Sequence, residues 1–105
     1  MSEGTWHRVG PLADVPPDDV IAAEIDGVAV AVVRMRGDRV AVVEAQCTHG
    51  KASLADGFVD GEEIECPKHN VRFNVVTGEA VATPARSALR VFPCRVADGC
   101  IEVHL

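Results

Sequence analysis

Cys47-Thr48-His49 and Cys66-Pro67-Lys68-His69 are two short units separated by residues 50–65, and the interpretation of the whole chain starts from them. Each unit offers one thiolate and one imidazole, so the four groups can converge on one metal centre. Two sulfurs and two imidazoles suit either zinc or an iron–sulfur cluster. Zinc fingers usually group like ligands, whereas each unit here mixes cysteine with histidine. The mixed spacing favours a cluster in which two cysteines hold one iron and two histidines hold the other.

The segments around these units resemble those of the Rieske-type ferredoxin family. The matching segments are residues 47–50, 52–57, 66–70, 72–73, 77–79 and 84–85. The likeness covers nearly the whole chain, and it is greatest to the small ferredoxins of multicomponent aromatic-ring-hydroxylating dioxygenases. It implies one Rieske-type [2Fe-2S] cluster and no catalytic residue in this chain. The ligands that it implies are Cys47, His49, Cys66 and His69.

Length, composition and charge limit the other possibilities. A chain of 105 residues with 48% hydrophobic content predicts one globular domain, and its core must be largely aliphatic because only one Trp, three Phe and no Tyr are present. The formal net charge of −6 argues against non-specific nucleic-acid binding and is compatible with steering toward a positively charged protein partner. Neither a signal segment nor an apolar run of membrane-spanning length is visible. We therefore expect a soluble, cytoplasmic protein.

The pattern of short apolar runs predicts an all-β chain. The strand candidates are residues 6–9, 21–25, 28–34, 40–44, 89–97 and 100–105. Asp26-Gly27 and Asp98-Gly99 predict tight hairpin turns, because glycine accepts positive φ. Pro16-Pro17 predicts an irregular loop over residues 12–20. The resemblance implies a Rieske-like antiparallel β-sandwich, a single domain of residues 1–105, with a small cluster-binding β subdomain inserted at about 46–75.

The last hairpin predicts the state of the two remaining cysteines. A two-residue turn at Asp98-Gly99 pairs Cys94 with Val103, and side chains alternate between the two faces of a strand. The apolar face predicted in this way consists of Phe92, Cys94, Val96, Ile101, Val103 and Leu105. Cys100 points to the other face, so we predict no disulfide, a core position for Cys94 and a partly exposed thiol at Cys100. Reduced thiols agree with a cytoplasmic setting, and His7 and His104 are predicted surface residues.

The resemblance also implies a reduction potential at the low end of the Rieske range, roughly −150 mV. High-potential relatives have an extra, disulfide-forming cysteine in each cluster loop, where this chain has Ala52 and Lys68. They also have a serine and a tyrosine that hydrogen-bond to sulfur, and these positions align with Val71 and Phe73. Fewer donors stabilise the reduced cluster less. Lys51 and Lys68 are either solvated loop lysines or a source of positive charge that aids docking and reduction.

Electron transfer is the function that the resemblance implies. A flavin-dependent NAD(P)H reductase would reduce this chain, which would pass single electrons to the Rieske terminal oxygenase of an aromatic-ring dioxygenase system, and a monomer suits that role. An alternative is the Rieske-like small subunit of an assimilatory reductase such as nitrite reductase, although many such subunits lack one or more ligands. A zinc-stabilised interaction module is a third hypothesis, which metal analysis would distinguish from the other two.

Overall fold

The computed structural model describes residues 5–46, 52–67, 71–81 and 88–105. Within these residues all paired strands are antiparallel, which confirms the predicted all-β class. The strands are β1 (Trp6–Pro11), β2 (Asp19–Ile25), β3 (Val28–Arg34), β4 (Val40–Glu44), β5 (Phe58–Asp60), β6 (Glu63–Glu65), β7 (Arg72–Asn74), β8 (Val91–Phe92), β9 (Cys94–Ala97) and β10 (Cys100–His104). Two 3-10 turns span Leu12–Asp14 and Leu54–Asp56. None of the helical segments in these residues has the length and apolarity needed to cross a membrane.

The strands form three sheets. The terminal sheet has the order β1-β10-β9, the central sheet β2-β3-β4-β8, and the insertion sheet β5-β6-β7. The insertion sheet comes from the chain segment between β4 and β8, so it is inserted into the sandwich made by the other two sheets. This arrangement confirms the predicted sandwich with an inserted β subdomain.

The central sheet is buried on both faces, because its two middle strands are apolar at nearly every position. Val30 and Val32 of β3 pack on one face against Ile101 and Val103 of the terminal sheet. Val33, the next residue along β3, points to the opposite face and joins a second buried cluster that includes residues of the insertion. Side chains alternate along a strand, so an unbroken run of small aliphatic residues covers both faces at once. The buried run at residues 30–33 therefore joins the two cores of the molecule.

Both hairpins predicted from aspartate–glycine pairs are present. At the β2–β3 turn φ is 54° for Asp26 and 82° for Gly27. At the β9–β10 turn the values are 53° for Asp98 and 76° for Gly99. Two consecutive residues of positive φ match the twist of a two-residue hairpin, and glycine accepts that conformation without a Cβ clash.

The predicted strand over residues 89–97 is wrong in its continuity. It breaks at Pro93 into β8, which pairs with β4, and β9, which pairs with β10. Proline has no N–H to donate to a ladder, so it marks the point where the chain leaves one sheet for the other. Val96 pairs with Ile101 and so lies on the predicted face, but it is 39% exposed because it lies next to the turn on an edge strand of the terminal sheet.

The predicted loop over residues 12–20 is more ordered than the two prolines indicate. Leu12–Asp14 forms a 3-10 turn, and β2 begins at Asp19, two residues before the predicted strand. Val15, just after the 3-10 turn, is 1% exposed and packs in the core between the central and terminal sheets. Prolines exclude helix and ladder positions, but they do not prevent a neighbouring aliphatic side chain from being buried.

The predictions for the terminal cysteines are confirmed. Cys94 pairs with Val103 in the ladder, and Cys66, Cys94 and Cys100 are all free thiols. The Cys94 thiol donates to the carbonyl oxygen of Val40 at 3.5 Å, and burial raises its pKa above the ordinary value. Cys100 is partly exposed. Cys94 is therefore not poised as a reactive thiolate, and neither of the two cysteines is paired in a disulfide.

Candidate metal centre

Of the four predicted ligands the structure describes Cys66. Its side chain is 0% exposed, at the position that directly follows β6. Cys47, His49 and His69 lie outside the described residues, as do Lys51 and Lys68. Residues 47–51 are called the first ligand segment and residues 67–70 the second. The described residues on either side of each segment form its base.

The first ligand segment departs from and returns to one point of the molecule. Gln46 and Ser53 form an isolated antiparallel bridge, and the Leu54 N–H donates to the carbonyl oxygen of Ala45 at 2.6 Å. The Ser53 hydroxyl accepts a hydrogen bond from the Ala55 N–H and so caps the 3-10 turn that follows. The backbone on both sides of residues 47–51 is therefore held by local hydrogen bonds.

The second ligand segment joins β6 to β7. Glu65 and Arg72 are the last paired residues of that ladder, and beyond them the Cys66 N–H donates to the Val71 carbonyl oxygen at 2.7 Å. Residues 67–70 are thus the connection between two strands whose ends are hydrogen-bonded. This geometry places Cys66 at the base of the connection and leaves His69 within it in sequence.

The bases of both segments share one apolar core. Ala52 and Leu54, at the base of the first segment, lie in one buried cluster. The same cluster contains Cys66, Val71 and Phe73 from the base of the second. The topology therefore brings together two segments that are separated by more than a dozen residues in sequence. A single metal centre shared by the two segments requires this proximity, and the described bases of the segments show it.

The described residues fit a metal–sulfur group. The apolar cluster that the described residues form around Cys66 contains no cationic side chain to balance a thiolate, whereas bound iron would balance it directly. The described residues around Cys66 also offer no competing use for it, because it is neither in a disulfide nor part of another site. No other group of three or more His, Cys, Asp or Glu residues in the described ranges is arranged to hold a metal ion.

Gly57 permits a close contact beside Cys66 that the sequence analysis did not identify. Its φ of −88° is available to any residue, so its backbone conformation does not require glycine. A Cβ at this position, however, would overlap the carbonyl oxygen of Glu65 and lie 3.1 Å from that of Leu54. The absence of a side chain allows the 3-10 turn to pack directly on the end of β6, one residue before Cys66.

Arg72 organises the charges on the outer face of the insertion sheet. Its guanidinium lies 3.0 Å from Glu65, 3.2 Å from Glu63 and 3.4 Å from Asp60. The hydrogen bonds that Arg72 donates to Glu63, Glu65 and Asp60 raise the pKa of Arg72 further above its ordinary value. The sequence signal for this cluster is the alternation of Glu63 and Glu65, which puts both carboxylates on the same face of one strand.

Val71 and Phe73 are both 0% exposed and apolar, on either side of Arg72. They offer no side-chain donor for a sulfur atom, in agreement with the reasoning for a low potential, which stays a prediction. Phe73 belongs to the same buried cluster as Cys66, and its position is that of a core residue beside the ligand segment.

The comparison with protein families agrees with this geometry. The model of the Rieske [2Fe-2S] domain matches residues 5–93 of the chain. The chain belongs to the Rieske [2Fe-2S] domain family. One Rieske-type cluster is accordingly the cofactor of this Rieske domain, and the zinc-module hypothesis is not supported.

Close relatives of this Rieske domain are ferredoxin components. The chain is 36% identical to the ferredoxin component of the naphthalene 1,2-dioxygenase/salicylate 5-hydroxylase systems of Ralstonia sp, over 87% of this chain and 86% of the relative. The ferredoxin of carbazole 1,9a-dioxygenase from Nocardioides aromaticivorans superposes with a TM-score of 0.89 at 38% identity, over 94% of this chain and 96% of that one. A structure of reduced oxygenase with oxidized ferredoxin in carbazole 1,9a-dioxygenase matches with a TM-score of 0.88 at 37% identity, over 97% and 94%.

A more distant structure shares the fold alone. A Mycobacterium tuberculosis protein described as the small subunit of an NADH-dependent nitrite reductase has a TM-score of 0.89 but is 22% identical, over 99% of this chain and 97% of that one. The Rieske domain thus superposes equally well on proteins of two different functional contexts. Sequence identity, rather than backbone shape, distinguishes them.

Proposed function

We propose that this Rieske domain is the ferredoxin of an aromatic-ring dioxygenase system, an electron-transfer protein rather than an enzyme. The single observation that carries the proposal is the relationship at 36% identity to a ferredoxin component over most of both chains. In this proposal a flavin-dependent NAD(P)H reductase and a Rieske terminal oxygenase are its two partners. It acts in the cytoplasm as a monomer, and residues 46–75 form the cluster-binding subdomain of one domain that spans residues 1–105.

The proposed ligands are Cys47, His49, Cys66 and His69. When bound, the cluster accepts and releases one electron, with both thiolates on one iron and both imidazoles on the other. The chain itself contributes the two hydrogen-bonded segment bases and the apolar core beneath them. That core excludes water from the Cys66 side of the centre, since Cys66 has no exposed surface.

The nitrite reductase alternative is supported by fold alone, because the structure that represents it is 22% identical. The curated ferredoxin relatives reach 38% identity with coverage above 90% of both chains. We therefore retain the dioxygenase ferredoxin as the proposed function.

Anaerobically purified protein tests the cofactor and the ligands together. We expect equal amounts of iron and sulfide, and a paramagnetic resonance signal that appears on dithionite reduction with an average g below that of the free electron. Changing any one of the four ligands, for example Cys47→Ser or His69→Ala, should abolish that signal. Cys94→Ser and His7→Gln are the matched controls, and both should keep it. Full iron content in a ligand variant would contradict the ligand assignment.

Electron exchange with a partner tests the function separately. Reduced protein is mixed in a stopped-flow instrument with the oxygenase component of a naphthalene 1,2-dioxygenase system, and the loss of the reduced spectrum is followed. We expect the observed oxidation rate to rise with oxygenase concentration toward saturation and to fall with added salt, as charge-steered encounters do. An intact cluster that exchanges no electrons with the oxygenase, yet copurifies with a large reductase subunit, would favour the alternative function.

A further inference from the structure

The most concentrated set of polar contacts among the described residues lies on the outer face of the insertion sheet. Arg72 of β7 contacts Glu63 and Glu65 of β6 and Asp60 of β5, so one guanidinium crosses all three strands. Its Nε donates to Glu65 Oε1 at 3.1 Å, and its Nη2 lies 3.0 Å from the same oxygen. Two nitrogens on one carboxylate oxygen make Glu65 the most closely held of the three carboxylates.

The ion pair between Arg72 and Glu65 lies at the neck of the second ligand segment, meaning the paired ends of β6 and β7 from which residues 67–70 extend. Glu65 and Arg72 face each other in the ladder, and the next residue on each strand, Cys66 and Val71, is joined by a 2.7 Å hydrogen bond. The distance between the two strands at the point where the segment begins is therefore set by a backbone bond and a side-chain bond together. A change in the pair would act on Cys66 through one peptide unit.

The charges around Arg72 are unbalanced. One positive group faces the three negative charges of Asp60, Glu63 and Glu65, which leaves the face negative overall. The side chains of Arg72 and Glu65 are 37% and 24% exposed, so their charges are screened less completely than those of fully solvated groups. Reduction adds one negative charge to a cluster held at Cys66, and a neighbouring carboxylate disfavours that step while a guanidinium favours it.

We propose that Arg72 is a positioning residue for the cluster, which holds the neck of the second ligand segment through Glu65 and raises the reduction potential by offsetting the adjacent carboxylates. The proposal rests on the proposed ligand role of Cys66 and deepens the proposed electron-transfer function. It assigns the tuning of the potential to a residue that is not a ligand and whose side chain points to the outer face of the sheet.

Redox titration of four single variants tests the proposal. Arg72→Gln should lower the equilibrium constant for reduction about threefold, which is roughly 28 mV at 59 mV per tenfold for a one-electron couple. Glu65→Gln should raise it by a similar factor, because it removes a negative charge from the same place. Arg72→Lys keeps the charge and loses the paired contacts, so it should keep most of the potential while broadening the resonance signal. That variant separates the electrostatic part of the role from the geometric part.

Arg95→Gln is the matched control. Arg95 pairs with Glu102 at 2.6 Å in the terminal sheet, so the variant makes the same change in net charge and also breaks an ion pair between neighbouring strands. Its potential should stay within the error of the unmodified protein. An equal fall in Arg72→Gln and Arg95→Gln would show that total charge alone is responsible and would overturn the proposal.

The remaining outcomes also decide the question. If Arg72→Gln loses its cluster altogether, the rise in potential expected for Glu65→Gln and the nearly unchanged potential expected for Arg72→Lys still test the electrostatic part. If the unmodified protein holds a reducible cluster but none of the Arg72 and Glu65 variants changes its potential, this inference fails and the proposed function stands. If the unmodified protein holds no [2Fe-2S] cluster, the proposed function itself fails.

Discussion

The sandwich base and the insertion are stabilised in different ways. In the base, the hairpin of two seven-residue strands, β2 and β3, is part of a sheet whose buried side chains are mainly aliphatic. In the insertion, each strand has three residues, and a smaller apolar core around Ile64 and Phe73 is supplemented by the Arg72 ion pairs and the close contact at Gly57. Burial of aliphatic surface is non-directional, whereas ion pairs and backbone contacts fix specific atoms. We therefore expect the base to supply most of the stability, and the ion pairs and close contacts of the insertion to fix the positions of the strand ends beside the ligand segments.

The largest expected effect comes from the buried aromatic ring in each region. Phe73 of the insertion and Phe92 of the base are 0% and 4% exposed, and Phe→Ala in a core costs about 3–5 kcal/mol. Both variants should therefore lose a large part of their free energy of unfolding in urea titrations. Only Phe73→Ala should also lose iron under native conditions, because Phe73 packs in the same apolar core as Cys66 and Val71.

Iron retention in folded protein is the decisive measurement for this pair. If Phe73→Ala is too unstable to purify, the milder Phe73→Leu and Phe92→Leu provide the same comparison. Equal iron content in the two variants, at matched stability, would show that the insertion has no special relation to the metal centre.

Two glycines of the insertion give the next largest effect. Gly57→Ala inserts a methyl group into the carbonyl oxygen of Glu65, and such overpacking costs about 1–3 kcal/mol. Gly61→Ala meets nothing within 4 Å but must adopt a φ of +62°, which costs a residue with a Cβ about 1–2 kcal/mol. Both variants lose stability, but only Gly57→Ala displaces backbone next to Cys66. We therefore expect a changed visible circular dichroism spectrum in Gly57→Ala and an unchanged one in Gly61→Ala.

The sequence predicted the base better than the insertion. The reason is how far apart in sequence the interacting residues are. Hairpins at Asp26-Gly27 and Asp98-Gly99 are local, so turn residues and the period of two were enough to predict their register. The break at Pro93 depends on which sheet each half joins, and that choice is set by residues far away in sequence. The pattern of apolar and polar residues within one strand does not indicate which sheet that strand joins.

The candidate site shows the same division. The spacing of cysteine and histidine predicted four ligands, and the structure describes one of them, Cys66, beside the base of the other segment. The roles of Gly57 and Arg72 were not predicted, because each depends on a partner from another strand. A glycine in a turn-like sequence is naturally interpreted as a turn residue, whereas Gly57 has an ordinary φ and is needed for a tertiary contact.

The smallest effect concerns the link between the two regions. Arg39, in the β3–β4 connection of the base, lies 2.7 Å from Glu62 at the β5–β6 turn of the insertion. The hydrogen bond from Arg39, together with its charge, holds the pKa of Glu62 below the ordinary value of 4.5. A folded-state pKa lower than the unfolded one stabilises the protein above pH 4.5, and this contribution is lost as the pH falls through the lower value.

Glu62→Gln should therefore lower the melting temperature slightly at neutral pH, and the difference from the unmodified protein should shrink to nothing in acid. Both partners are about half exposed, so the neutral-pH difference should also shrink when salt is added. Arg39→Gln is the reciprocal control: in a double-mutant cycle the second substitution should add little to the first. Full additivity would mean that the pair does not couple the regions. The insertion would then depend on the base through their shared apolar core and through backbone hydrogen bonds such as that from Leu54 to Ala45.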